Sequence, residues 1–327
     1  MSSATQEALG PLHDYVEYDH ASDNFRDDVL HGLRQSPKRL PSKYFYDERG
    51  SQLFDDICEL PEYYPTRTEM ALLRTISADV AALVGEGATV IEFGSGSSTK
   101  IRILLDALNA PAAYVPVDIS REHLLMSAKG LADSYADLRV VPVCADYTKP
   151  FDVPDIGGEK VRAGFFPGST IGNFTRSEAV SFLHAAALDL GHNNGLLIGV
   201  DLRKDEEVLR AAYNDSAGVT AAFNLNLLHR INRELEGDFD VEAFSHDARW
   251  VPEYGRIEMH LVSARTQDVR VGEETFHFEA GESIHTEDSH KYDIEGFKAL
   301  AAEAGWNSIE CWTDSDALFS IHLLRVA

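Results

Sequence analysis

Near the end of the chain, residues 284–293 read IHTEDSHKYD, with Glu287 and Ser289 two positions apart. If this segment continues as a strand from the alternating residues before it, side chains two apart project from one face. A carboxylate beside a hydroxyl accepts one N–H and addresses a second nitrogen, which is what a planar ring with two nitrogens requires. The competing reading is a solvated strand edge, since exposed acidic residues are common. His277, His285 and His290 lie close by in sequence and raise the question of a metal. None has the i, i+4 spacing or the cysteine partners that mark a zinc site, so no metal is expected.

A second group sits further upstream. The β-branched run ATVIEF meets Gly94 and Gly96 in GSGSST and then turns into a helical pattern. Such a turn lets a ligand approach the backbone, and an acidic residue about 20 positions later, ending the next strand, grips ribose hydroxyls. Asp118 stands 24 residues after Gly94. A dinucleotide would want a third glycine for its pyrophosphate, and none occupies the expected place. S-adenosylmethionine has no phosphate and needs only room for its amino-acid part. In CADY, at the end of a third strand, Asp146 is suited to accept from an adenine amino group and Tyr147 to pack on the adenine ring. The alternative is that each aspartate merely caps its following turn.

The elements needed to position these residues are legible in the pattern. TRTEMALLRTISADVAALVG reads as a helix, with Thr66 and Glu69 in capping-box spacing, Leu73, Ile76, Val80 and Leu83 on one face, and a stop at Gly85. Strands and helices then alternate to about residue 203, indicating an α/β, doubly wound parallel sheet with helices on both faces. Two strands, SIECWTD and FSIHLLRV, close the chain as an antiparallel hairpin at the sheet edge. That finish separates class I methyltransferase sheets from dehydrogenase sheets. Residues 204–250 read as helical and polar, followed by strands GRIEMHLVS and TFHFEAG. The expected division is a Rossmann-like core of residues 61–203 and 287–327, an α+β substrate lobe of 14–60 and 204–286, and a flexible tail, 1–13.

Bulk composition excludes several classes. The 327 residues, 44% apolar, suffice for a large core. Acidic residues outnumber basic ones 54 to 29, a formal charge of −25, so nucleic acid and acidic membranes are disfavoured partners. Cys58, Cys144 and Cys311 are odd in number, lack CxxC spacing and suggest a reducing, cytoplasmic setting. The N-terminus has no signal-peptide pattern, and no stretch approaches the length of a membrane span. A monomer is expected.

With these features in place, the chain resembles the histidine-specific methyltransferases of ergothioneine biosynthesis, which trimethylate the α-amino group of histidine to hercynine. The resemblance runs from about residue 36 to the end and is carried by PKRLPSKYFYDERGSQLFDDICELPEYYPTRTE, GSTIGN, AYNDSAGVTAAFN, INRELEGDFD and RIEMHL. It implies that Tyr63 and Asn173 hold the substrate's α-amino group, Tyr213 its carboxylate, Glu287 and Ser289 its imidazole, with Met259 against the ring. For S-adenosylmethionine it implies Tyr46, Gly94, Lys100, Asp118, Asp146 and Tyr147. Pro167 departs from the family pattern and is expected to alter the end of the fourth strand and shift Asn173. Each position has a structural alternative: packing for Tyr63, Tyr213 and Met259, and a helix cap for Asn173. The implied substrates are L-histidine and its mono- and dimethylated forms. Other readings are the same chemistry on another amino acid, an NAD-dependent oxidoreductase, or a non-catalytic binding module.

Overall fold

The strand that precedes the glycine turn, TVIEF, is buried at every position, because its side chains alternate between two apolar layers. The computed structural model describes residues 4–6, 12, 14–18, 24–96, 98–149, 151–154 and 161–327, the first three as backbone. In chain order the elements are β1 (Ala4–Gln6), β2 (Val16–Tyr18), α1 (Phe25–Arg34), β3 (Lys38–Arg39), α2 (Glu48–Cys58), α3 (Tyr64–Val84), β4 (Thr89–Phe93), α4 (Thr99–Ala107), β5 (Ala113–Asp118) and α5 (Arg121–Ser134). Then come β6 (Arg139–Val140), β7 (Val143–Cys144), β8 (Arg162–Phe166), α6 (Arg176–Leu190), β9 (Gly195–Asp201), α7 (Glu206–Tyr213), α8 (Val219–Glu234), β10 (Phe244–Val251) and β11 (Arg256–Ser263). The last are β12 (Gln267–Val271), β13 (Glu274–Phe278), β14 (Ser283–His290), α9 (Ile294–Glu303), β15 (Trp306–Thr313) and β16 (Phe319–Val326).

Two compact units emerge. The first comprises Met1–Ser22, Pro65–Arg203 and Lys291–Ala327. Its sheet runs β1-β2-β7-β5-β4-β8-β9-β16-β15, with β6 beside β5. The strands from β7 to β9 are parallel, and β16 lies antiparallel to both β9 and β15. Residues of α6 and α9 bury one face with Ile91 and Phe93; α3, α4 and α5 bury the other with Val90. Strand order reverses around β4, so the carboxyl end of β4 is the switch point where ligands bind in open α/β sheets.

The second unit comprises Asp23–Tyr64 and Lys204–His290. It holds a four-stranded sheet, β10-β11-β14-β3, covered by α8, and the hairpin β12-β13.

Several expectations change. The boundary anticipated at residue 287 falls after His290, because β14 runs unbroken to that residue as the partner of β11. Residues 14–22 and 61–64 likewise exchange sides relative to the expected division. Phe244–Val251, within the stretch read as helical, is a strand paired along its length with β11; its period-two pattern is masked by polar residues. Of the expected flexible tail, residues 1–3, 7–11 and 13 lie outside the described residues, but 4–6 pair with β2 and Leu12 is buried. Helix α3 begins at Tyr64, so Thr66 lies inside it rather than at its cap, and Leu83 is 39% exposed. No described helix is long and apolar enough to cross a membrane.

Candidate active site

In the first unit the glycine turn leaves β4 with Gly94 at φ +71° and Gly96 at φ +46°, a left-handed path that favours glycine. Two donors bond Asp118 from this neighbourhood: Gly96 N–H reaches Oδ2 at 3.4 Å and Ser120 N–H reaches Oδ1 at 2.9 Å. Burial nevertheless raises the pKa of Asp118. Asp146 accepts from the Thr148 N–H at 3.1 Å and from the Thr148 hydroxyl. Both aspartates therefore do cap turns, and each still carries further acceptor capacity for a ribose or an adenine amino group. Tyr147 packs edge-on against Phe93, Phe166 and Phe182, and its hydroxyl lies 3.5 Å from where a Gly94 Cβ would stand. Sequence reading did not single out Ser95, whose buried Oγ has no hydrogen-bond partner among the described residues. A buried hydroxyl of this kind inside a glycine turn fits a ligand that supplies the missing partner.

Lys100 Nζ sits 2.6 Å from Glu69 Oε2, and the fully buried Glu69 also accepts the Gly168 N–H through both oxygens, at 2.9 and 3.0 Å. The residue expected to complete a capping box instead ties α3 to α4 and to the loop after β8. Pro167 ends β8 at Phe166 and its carbonyl accepts from Thr170; the chain then makes a short 3-10 turn, Thr170–Asn173. Asn173 closes that turn. The cap of α6 is Thr175, in a capping box with Glu178, so Asn173 does not have the capping role.

In the second unit Glu287 and Ser289 are buried, not a solvated edge. Across the sheet Met259 pairs with Glu287 and Ile257 with Ser289, so all four share one face. The Tyr213 hydroxyl, at the end of α7, lies 2.7 Å from Ser289 Oγ. Tyr213 is edge-on to Tyr63 at 6.3 Å, and the ring series continues through Phe54 to Tyr46 and Phe223. Burial, and then the neighbouring Tyr213, Cys58, Tyr46 and Glu287, push the Tyr63 phenol well above its ordinary range. Its oxygen is therefore a neutral hydrogen-bonding group. Tyr64 is used differently: Lys204 Nζ donates to its hydroxyl at 2.6 Å. Phe54 and Phe223 carry no polar signature in the sequence, and only their packing draws them into the group.

The opposite face of the same strands holds Glu258, His260 and His285, whose donor atoms lie within 4.8 Å of one another. His260 reaches His285 from the neighbouring strand, a proximity that spacing along one segment does not encode. Arg256 bonds the Glu258 carboxylate and stands 3.0 Å from Asp288 Oδ1, itself 3.0 Å from His285 Nε2. Burial first of all lowers the His260 pKa to about 4. The exposed His277 pairs with Asp268 and Glu279 instead.

A parallel sheet with a terminal antiparallel hairpin, a glycine turn at its switch point and acidic residues at the next two strand ends define a class I S-adenosylmethionine-dependent methyltransferase. The chain belongs to the histidine-specific, SAM-dependent methyltransferase family, whose model matches residues 25–326. It is 42% identical over 318 residues to histidine N-alpha-methyltransferase of Mycolicibacterium smegmatis, covering 95% of this chain and 98% of that one. To the enzyme of the same name from Mycobacterium tuberculosis it is 44% identical over 303 residues, covering 91% and 94%. Ergothioneine biosynthesis protein 1 of Neurospora crassa is 33% identical over 89% of this chain and 33% of that protein.

Proposed function

We propose that this protein transfers three methyl groups in succession from S-adenosylmethionine to the α-amino group of L-histidine, giving hercynine in the first step of ergothioneine synthesis. The observation that carries the substrate reading is the buried Glu287–Ser289 pair, facing the same way as Met259 and joined to Tyr213 through the 2.7 Å hydroxyl contact. A ring with one N–H and one bare nitrogen satisfies a carboxylate and a hydroxyl together, and a side chain without them leaves buried polar groups unmatched. Tyr213 then serves the substrate carboxylate and Met259 the ring face. In the first unit Gly94, Lys100, Asp118, Asp146 and Tyr147, with Ser95 added, are assigned to the methyl donor; Tyr46 keeps the donor role that the resemblance implies.

The sulfonium of the donor makes its methyl group a strong electrophile, so the residues' task is to orient the amine lone pair and keep water away. The amine attacks only when neutral, whereas the α-amino group of a free amino acid is mostly protonated near neutral pH, so a proton must leave before each transfer. Tyr63, assigned with Asn173 to the amine, is too weak an acid to act as a phenolate base. In the first two transfers its neutral oxygen accepts an amine N–H and thereby orients the lone pair; the neutral dimethylamine of the third has no N–H and is held by packing against the ring, and before each transfer the ammonium proton departs to solvent. Each methylation removes one N–H, and the final fixed cation is favoured by tyrosine ring faces.

No metal enters this scheme: Arg256 already shares the carboxylates beside His260 and His285. We further place the protein in the cytoplasm as a monomer, without nucleic-acid or membrane partners, in keeping with its charge of −25. Mass spectrometry of the protein incubated with S-adenosylmethionine and an equimolar mixture of amino acids tests the assignment. Histidine alone should gain three methyl groups; another acceptor would overturn the ring reading while leaving the fold and donor in place.

A further inference from the structure

The strand that carries Glu287 is irregular at one point. Met259 pairs with Glu287, but the next residue, His260, pairs with His285, so Thr286 is an extra residue on β14. One extra residue reverses the alternation beyond it. The consequence is visible on the far face, where His285 and Asp288, three positions apart on a strand, meet at 3.0 Å. Without the bulge, Glu287 and Ser289 would turn to the face that now holds Asp288.

The bulge is held by a buried polar chain. Thr286 Oγ1 lies 2.8 Å from Asn224 Oδ1 and 3.0 Å from the Met259 carbonyl, sharing its proton between them. Asn224, on α8 and fully buried, donates from Nδ2 to the His260 carbonyl at 3.2 Å and to His246 Nδ1 at 2.9 Å. The two β11 carbonyls flanking the irregularity are thus both engaged. His246 in turn donates from Nε2 to the backbone carbonyl of Tyr213 at 2.8 Å, which fixes its neutral tautomer. One chain of hydrogen bonds therefore links the residue that contacts Ser289 to the turn of backbone that decides where Ser289 and Glu287 point.

We propose that Thr286, Asn224 and His246 are positioning residues that lock the β14 bulge and the end of α7 into one register, so that Tyr213, Glu287 and Ser289 meet histidine as a preformed set. This rests on the substrate roles proposed above for those three residues. None of the relay side chains touches substrate; each acts through a residue that does.

The test compares Thr286→Val, which keeps the volume and branching but removes the hydroxyl, with Thr286→Ser, which keeps the hydroxyl. Thr286→Val should raise the KM for histidine about tenfold, the size expected for one buried acceptor left unpaired. Its kcat should change less, and S-adenosylmethionine Kd should stay within about twofold. Thr286→Ser should remain near the parent. His246→Gln, able to donate and accept across a similar span, should outperform His246→Leu in the same assay. Glu287→Ala serves as the control for the underlying site. A parent-like histidine KM in Thr286→Val, with histidine binding lost in Glu287→Ala, overturns the relay and leaves the site intact. A parent-like KM in both overturns the substrate roles and the relay with them. Equal loss of histidine and donor affinity in Thr286→Val, with a lowered Tm, assigns the threonine to general folding and also overturns the relay.

Discussion

At the scale of single residues, the chemistry of the site turns on which side chains are charged. Glu287 is buried and is proposed to accept a ring N–H, and removing one partner of such a buried bond costs about 1–3 kcal/mol. Glu287→Ala should therefore raise the histidine KM by roughly 10- to 100-fold. Titration calorimetry should find donor binding nearly unchanged; simultaneous loss of both ligands would mark Glu287 as structural. Tyr63 is a phenol held neutral by burial. Tyr63→Phe keeps the ring and its packing on Tyr213 and removes only the oxygen proposed to orient the amine. We expect kcat to fall about tenfold or more with little change in donor Kd, and the pH–rate profile to keep its shape, because Tyr63 is not the group that titrates. The His260–His285–Glu258 group leads to a further expectation: dialysis against a strong chelator should leave the methylation rate unchanged, and a chelator-sensitive rate restored by a divalent metal would refute the metal-free scheme.

At the scale of elements, the anchoring of Lys100, a residue proposed to serve the donor, depends on how closely β9 approaches α3. Gly199 leaves just enough room for Glu69: a Cβ there would stand 2.1 Å from Glu69 Oε1 and 3.0 Å from the Phe319 ring. The displaced carboxylate would give up its bonds to Lys100 and to the Gly168 N–H. Gly199→Ala should lower stability by about 2 kcal/mol or more, combining overpacking with lost charge-assisted bonds. Thermal unfolding reads the loss, and donor affinity should weaken in parallel because Lys100 loses its anchor. A variant that melts like the parent would show that Glu69 is free to move.

At the scale of the whole molecule, an acidic protein also carries a carboxyl buried in the central strand of its parallel sheet. Glu92, on β4, is buried, accepts from Tyr114, and has its pKa raised by burial to about 8. Unfolded, the same group ionises at about 4.3. Between those values the unfolded chain releases a proton that the folded chain retains, so stability attributable to Glu92 falls as pH rises and levels off above about pH 8. Glu92→Gln keeps an acceptor for Tyr114 and removes the titration. Its gain in Tm over the parent should be greatest at pH 8 and above and vanish below about pH 4; a pH-independent difference would contradict the assignment.

The sequence by itself determined what local pattern and residue type can encode. Alternating strands and helices and the closing hairpin follow from periodicity; the glycine turn with Asp118 and Asp146 follows from spacing along consecutive strands; the pairing of Glu287 with Ser289 follows from the two-residue repeat. Those are short-range properties, and the chain writes them directly. What only the tertiary structure decided involves neighbours distant in sequence. Glu69, readable as a capping residue, became the buried partner of Lys100; β10, readable as polar helix, became a strand once β11 lay beside it; Phe54 and Phe223 joined the tyrosines through packing alone. The face shown by Glu287 was also decided there, because a single bulged threonine, held from α8, sets the alternation. Periodicity reveals that two side chains share a face, but which face that is depends on strand pairing and on hydrogen bonds from residues some 60 positions away.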